Sequence, residues 1–295
     1  MKCFYHNDID GRCAGAIVAR FTNNYNKDSY FEFDYSEPFP TEIIQEGETV
    51  YIVDLSFSVN TIVELQEIID KNCDIVWCDH HASSMDVLSK NPQYNNIPGL
   101  RMIGYSGAAL TWMHFANCTY DDIPYFIKLI SDFDCWIFKE SATKPFKFAI
   151  ESKDYGVMSP LWNVLVRDEI NDNREYLNEM VAEGEIIHKY VKRDYKEYRK
   201  QYAYVSEIEG YKCLVINRRA NSMIFGDKIE DYPVVVIWVF DGEKYRYSIY
   251  SEKDGIDCSK IAEKFGGGGH KGAAGFVSEQ LILIKKDEYK ENFSL

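Results

Sequence analysis

The chain lacks any apolar run near the ~20 residues that a bilayer span requires. Its N-terminus, MKCFYHND, shows no cationic segment leading into an apolar stretch and a cleavage site. Membrane insertion and export are therefore not expected, and a cytoplasmic location is. A CxxC pair is also missing. The cysteines Cys3, Cys13, Cys73, Cys78, Cys118, Cys135, Cys213 and Cys258 are scattered, most of them in apolar surroundings such as IVWC and YKCLVIN. This excludes a thiolate zinc finger and suits buried thiols in a reducing compartment. Basic charge is in deficit as well, with 33 Lys and Arg against 47 Asp and Glu, a net charge of −14. Long nucleic acid is held through many cationic contacts that release counterions, so a long duplex is excluded as a partner and any nucleotide substrate should be short. There is no internal repeat and no low-complexity tract.

What is present is ample core material. The chain has 295 residues, of which 46% are apolar and 15% aromatic, enough to fill two hydrophobic cores. In the first half strand-like and helix-like segments alternate. KCFYH, TVYIVDLS and DIVWCDHH read as strands, GRCAGAIVARF and SVNTIVELQEIIDKN as helices between them. That rhythm predicts a mainly parallel sheet, and the short Val- and Ile-rich runs suit strands covered on both faces. SGAALTWMHFA and IPYFIKLISDF then read as helices, the first with Ser106 as N-cap.

Residues 171–202 are charged, free of proline and apolar at helical spacing, with a single internal Gly184, and predict a long connecting helix. YKCLVIN, YPVVVIWVFDG and EKYRYSIYS read as strands, with a hairpin at Asp241-Gly242. CSKIAEKF predicts a short helix and LILI a last strand. The fold class expected is α/β, as residues 1–165, a helical connector over 166–204, and a smaller α/β domain over 205–295.

Three phrases carry chemistry. HNDIDG places His6, Asp8 and Asp10 just after a strand, where alternate residues can diverge toward two cations and Gly11 allows a tight entry into the next helix. An Asx-turn would account for the same residues. CDHH sets Asp79, His80 and His81 at the end of an apolar strand; neither imidazole could be buried there without partners, which makes metal ligation its natural use. Spacing does not decide which histidine reaches a metal. Asp54 ends another strand, and Asp132 and Asp134 in ISDFDCW add two carboxylates at a helix end, where the dipole disfavours them unless a cation compensates. GGGGHKGAAGF, with His270 and Lys271 between glycine clusters, permits close backbone approach and predicts amide groups cradling a phosphate as a helix begins.

In that order HNDIDG, VDLS, CDHH and SDFDCW resemble the four metal-binding motifs of the DHH phosphoesterase superfamily, and GGGGHKGAAGF resembles the signature of its first type of DHH-associated C-terminal domain. The likeness covers nearly the whole chain, and its size is similar to the nano-RNase or oligoribonuclease-like branch. The resemblance implies a DHH catalytic domain and a substrate-binding domain. His6, Asp8 and Asp54 would hold one metal, and Asp10, Asp54, His80 and Asp132 the other, with Asp54 bridging. Asp79, His81 and Asp134 would be outer or substrate-facing groups, Asp79, His81 and His270 serving catalysis. Asn217, Arg218, Ser222, Arg246, Gly267, Gly268, Gly269 and His270 would bind substrate, with Arg219 a further phosphate candidate. SIYS puts Tyr250 where the related pattern often has an arginine.

The oxygen and nitrogen donors suit two Mn²⁺ ions. The implied activity is two-metal hydrolysis of short oligoribonucleotides or small nucleotides to mononucleotides. A RecJ-like single-stranded DNA exonuclease, a cyclic-nucleotide phosphodiesterase and a non-catalytic nucleotide sensor are the alternatives.

Overall fold

The structure, a computed structural model, describes residues 1–35, 38–59, 61–166, 174–269 and 271–284. It divides into two compact units, Met1–His188 and Lys189–Leu295.

The first unit is built on four parallel strands, β1 (Lys2–His6), β2 (Tyr30–Phe33), β3 (Thr49–Val53) and β4 (Asp74–Cys78), in the order β2-β1-β3-β4. Strand alternation sends successive side chains to opposite faces, and both faces are covered. Cys3, Tyr5, Val53 and Cys78 join one core, which is completed by α1 (Ile9–Thr22), α4 (Gly107–Ala116), α5 (Tyr125–Asp134), α6 (Thr143–Glu151) and α7 (Pro160–Val166). Phe4, Val50, Ile52 and Trp77 join the other, under α2 (Ile62–Asp70) and α3 (Ala82–Lys90). The chain leaves β1 toward β2 on one side and returns to β3 on the other, so the strand order reverses between β1 and β3. Open α/β sheets bind ligands at that point, beyond the carboxyl ends of the strands.

Helix α8 (Arg174–Tyr202) accounts for the predicted connecting helix, of which 171–173 lie outside the described residues. Its Gly184 has a definite cause: a Cβ there would lie 1.8 Å from the carbonyl oxygen of Pro145 in α6. Leu177 and Met180 pack into the core of the first unit, while Tyr195 and Tyr198 pack in the second.

The second unit is a six-stranded sheet of β5 (Tyr204–Ile208), β6 (Tyr211–Asn217), β7 (Val234–Phe240), β8 (Tyr245–Tyr250), β9 (Gly268–Gly269) and β10 (Ala273–Ser278), ordered β5-β6-β7-β8-β10-β9. Among the described strands of this sheet only β6 and β7 run parallel. Asp241 and Gly242 turn β7 into antiparallel β8, the Asp241 carboxylate accepting from the amides of Glu243 and Lys244. Helix α9 (Cys258–Glu263) covers one face.

Two expectations are corrected here. The glycine-rich segment does not open a helix; it leaves α9 and forms the β9–β10 hairpin. A Cβ on Gly267 would stand 2.1 Å from the Gly275 carbonyl oxygen, and Gly269 has φ +143 with Ala274 Cα 2.6 Å from where its Cβ would be. Close strand approach therefore explains these two glycines, whereas Gly268 faces open space. Residues 281–284 form no strand; Leu283 packs into the core from irregular chain, and its carbonyl accepts from the Tyr204 hydroxyl. Among the described residues no helix is long and apolar enough to cross a membrane.

Candidate metal centre

The centre lies at the carboxyl ends of β1, β3 and β4. His6 closes β1, and Asp8 caps α1, its Oδ1 accepting from Gly11 N at 2.9 Å and its Oδ2 2.8 Å from His6 Nδ1. Gly11 must be glycine because a Cβ there would lie 2.3 Å from the His6 carbonyl oxygen. The turn and the donor role are thus the same structure.

Asp54 follows β3 directly, in the left-handed region at φ +55, a conformation costly for a non-glycine residue. Its amide donates to the Cys78 carbonyl at 2.8 Å, which holds it between β1 and β4. Oδ2 lies 3.9 Å from His6 Nδ1 and Oδ1 3.2 Å from His80 Nε2. Asp54 thus stands between the two imidazoles, 1% exposed. His80 Nε2 is also 3.2 Å from Asp134 Oδ2. Beside it, His81 Nδ1 lies 2.7 Å from Oδ1 of the fully buried Asp79, whose Oδ2 accepts from the Ser84 hydroxyl.

Asp132 is not brought to this cluster. Its carboxylate accepts from the amides of Lys139 at 2.9 Å and Glu140 at 3.1 Å and from the Thr143 hydroxyl, clasping the loop that follows α5. Asp134, two residues on at the helix end, is the carboxylate that faces His80. Asp10 is placed differently again: it is buried, and its oxygens accept from Gly107 N at 2.6 Å and Ala108 N at 3.1 Å. The first turn of α4 thereby holds it in place, aided by the helix dipole, and Ser106 is the N-cap of that helix as expected.

Sequence reasoning missed two groups. Cys135 offers its sulfur within 4.8 Å of donor atoms of His80 and Asp134. Tyr35, in the loop after β2, has its ring 5.5 Å from that of His6 and 6.4 Å from that of His81, with its hydroxyl accepting from Ser56 N at 2.8 Å. A lone Cys before Trp and a lone Tyr in a loop carry no motif, so neither could be singled out.

The electrostatics state what the donors need. Burial, then the neighbouring Asp10, Asp8 and Asp134, push the Asp54 carboxyl far up; burial and Asp10 do the same to Asp134. Burial opposes a charged His80, yet its hydrogen bond to Cys135 and the carboxylates of Asp134, Asp10 and Asp79 push it up to about 10. Oδ1 of Asp54 and Oδ2 of Asp134 are buried and accept no hydrogen bond. Several carboxylates gathered with two buried, unsatisfied oxygens and imidazole nitrogens are a donor set that could hold a divalent cation. Two donor groups meet at Asp54, one with His6 and Asp8, the other with His80 and His81.

In the second unit the expected substrate residues are spread over several elements. Asn217 Nδ2 donates to the Trp238 carbonyl at 3.0 Å, and Arg218 pairs with Asp194 at 2.7 Å and lies over the rings of Tyr195 and Tyr198. Ser222 is buried at the start of a 3₁₀ segment capped by Asn221. Arg219 is exposed, and Arg246 is held by Asp241 at 2.6 Å. Tyr250 packs its ring into the core beside α8. His270 lies outside the described residues.

The first unit is an α/β unit with a carboxylate and imidazole cluster at its topological switch point, and a separate mixed-sheet unit follows it. A DHHA1 domain model matches residues 197–293. An uncharacterized protein of Acanthamoeba polyphaga mimivirus is 29% identical over 245 residues, 78% of this chain and 53% of that protein, so the chain spans about half of that relative's length. The bifunctional oligoribonuclease and PAP phosphatase NrnA of Mycoplasma genitalium is 22% identical over 303 residues, 93% of this chain and 87% of that one. Among solved structures, the DHH domain of a member of a family of ribosomal proteins aligns with a TM-score of 0.57 at 12% identity, over 94% of this chain and 82% of that one, a likeness of fold. Residues 197–293 thus carry a DHHA1 domain, and the chain is similar in sequence to an NrnA protein and in fold to a DHH domain.

Proposed function

We propose that the protein is a metal-dependent phosphodiesterase that hydrolyses short oligoribonucleotides or small nucleotides to mononucleotides. The observation that carries this reading is Asp54: a buried carboxylate with one oxygen 3.2 Å from His80 and the other 3.9 Å from His6, and with Oδ1 lacking any hydrogen bond. One carboxylate flanked by two imidazoles suits a bridge between two cation positions.

His6, Asp8 and Asp54 would hold one divalent cation, and Asp54, His80 and Asp134 the other. Manganese is the expected ion for the oxygen and nitrogen donors. When bound, such ions supply Lewis-acid polarisation of a phosphoryl oxygen and an acidified water for in-line attack. The chain's own residues do the rest. Asp79 fixes the His81 ring through Nδ1, which leaves Nε2 to accept a proton and, once protonated, to act as a general acid or as a donor to substrate. Asp10 accepts from the first turn of α4 and so anchors the wall against which Asp54 is packed. His270, Gly268 and Arg218 would recognise the substrate phosphates.

The oligoribonuclease activity for which the NrnA relative is named supports the choice of short RNA, and so does the net charge of −14, which disfavours long strands. The test is turnover on RNA of two to about 20 nucleotides with Mn²⁺, at two ionic strengths and with chelator. The length range exceeds the ~4 to 16 nucleotides of a typical single-strand site. Efficiency should fall with length and vanish in chelator. Efficiency that climbs with length at low salt and collapses at high salt would favour a long-strand exonuclease.

A further inference from the structure

The two donor groups of the centre are not chemically alike. On the His6 side the donors are an imidazole and two carboxylates. On the His80 side a thiol is added, because Cys135 Sγ lies within 4.8 Å of donor atoms of both His80 and Asp134. Cys135 closes α5, its amide donating to the Ser131 carbonyl at 2.9 Å, so the helix end that carries Asp134 also fixes the thiol. His80 Nε2 also lies 3.2 Å from Oδ1 of Asp54, a carboxylate 1% exposed whose Oδ1 lacks a hydrogen bond. Five other cysteines, Cys3, Cys13, Cys78, Cys213 and Cys258, are buried in the cores. Cys118 lies past the far end of α4, whose ten residues span about 15 Å from the Gly107 end beside Asp54.

We propose that Cys135 is a thiolate ligand on the His80 side, so that this position prefers a thiophilic divalent cation such as Zn²⁺ or Co²⁺ while the His6 side takes a harder one. A thiolate is a soft donor, and one among carboxylates and imidazole shifts selectivity away from manganese and magnesium. The thiol releases its proton to solvent as the cation binds. This rests on the reading of the cluster as a metal centre and names one more of its ligands.

The test uses Co²⁺ titrated into the metal-stripped full chain, read by absorption. Visible d–d bands report cobalt bound anywhere in the centre; a near-ultraviolet sulfur-to-cobalt charge-transfer band reports a thiolate ligand. Wild type should show both, and so should Cys118→Ser. Cys135→Ser, with far-ultraviolet dichroism unchanged, should keep the d–d bands and lose the charge-transfer band. Its Zn²⁺ affinity relative to Mn²⁺ should fall by at least ~10-fold, the loss expected even for an outer-shell partner. A charge-transfer band that survives in Cys135→Ser overturns the proposal. Wild-type d–d bands without that band also overturn it, leave the metal centre standing, and do not depend on any variant folding. No d–d bands at all would remove the metal reading itself, independently of whether any phosphodiester is cleaved.

Discussion

Gly107 and Asp54 touch so closely that a Cβ on Gly107 would stand 2.5 Å from Asp54 Cβ and 2.8 Å from its Oδ1. Gly107 also donates its amide to Asp10 at 2.6 Å, so the start of α4 seats both carboxylates at once. Gly107→Ala removes no donor yet must displace Asp54. Metal affinity is expected to fall about 10 to 100-fold, the range for disturbed supporting groups, with turnover falling in step. Titration calorimetry of the variant against wild type checks this; unchanged affinity would mean that Asp54 has room to move.

Asp54→Asn should be more severe than Gly107→Ala, because the carboxylate faces both imidazoles. A loss on the order of 10²-fold in kcat/KM is expected, comparable to removing a positioned electrostatic group, along with reduced metal content. A variant with wild-type turnover and full metal content would exclude a bridging role.

Asp132 and Asp134 should separate cleanly. Asp132→Ala strips the acceptor from Lys139 N, Glu140 N and the Thr143 hydroxyl, and should cost about 1 to 3 kcal/mol of folding stability. Denaturant unfolding in chelator measures it. Asp134→Asn should leave that stability close to wild type and weaken metal binding instead. The reverse pattern would restore Asp132 to the centre.

The cation-free protein should lose stability as pH rises. Asp54 and Asp134 are pushed up by burial first and by Asp10 next, and His6 and His80 are raised despite burial, by Asp8 and by Cys135 with Asp134 respectively. Groups raised in the folded state lend their stability in full below their unfolded values and lose it as pH climbs through the folded ones. Asp79, lowered by His81 against the effect of burial, acts in the opposite sense and matters only in acid. In chelator the melting temperature should therefore decline from about pH 5 to about pH 8, and saturating divalent cation should abolish the decline by favouring the charged carboxylates. A rise in melting temperature across that interval in chelator would contradict the assignment.

The glycine run offers an internal control. Gly267→Ala forces a Cβ to 2.1 Å from the Gly275 carbonyl oxygen and should destabilise the protein by about 1 to 3 kcal/mol, as overpacking does. Gly268→Ala meets nothing within 4 Å, so its stability should match wild type. If the backbone there addresses substrate phosphate, its KM should still rise; unchanged KM would confine the run to a structural role.

The sequence by itself determined what depends on neighbours along the chain. Short apolar runs marked β1, β3 and β4, the last two rich in Val and Ile, and with them the strand ends that carry His6, Asp54 and His80. Ser106 announced its helix, and Asp241-Gly242 its hairpin. What tertiary structure decided are meetings between residues far apart in the chain. Asp10 is seated by Gly107, Asp54 is wedged by it, and His80 meets Asp134 and Cys135 across the centre. Asp132 and Asp134 share one helix end and similar chemistry. Two residues of helix rotate a side chain through ~200°, so only the packing of α5 decides which of them points at the cluster. The glycine-rich segment shows the same limit: glycine permits a phosphate cradle and a tight strand equally, and the proximity of Gly275 and Ala274 selects the strand.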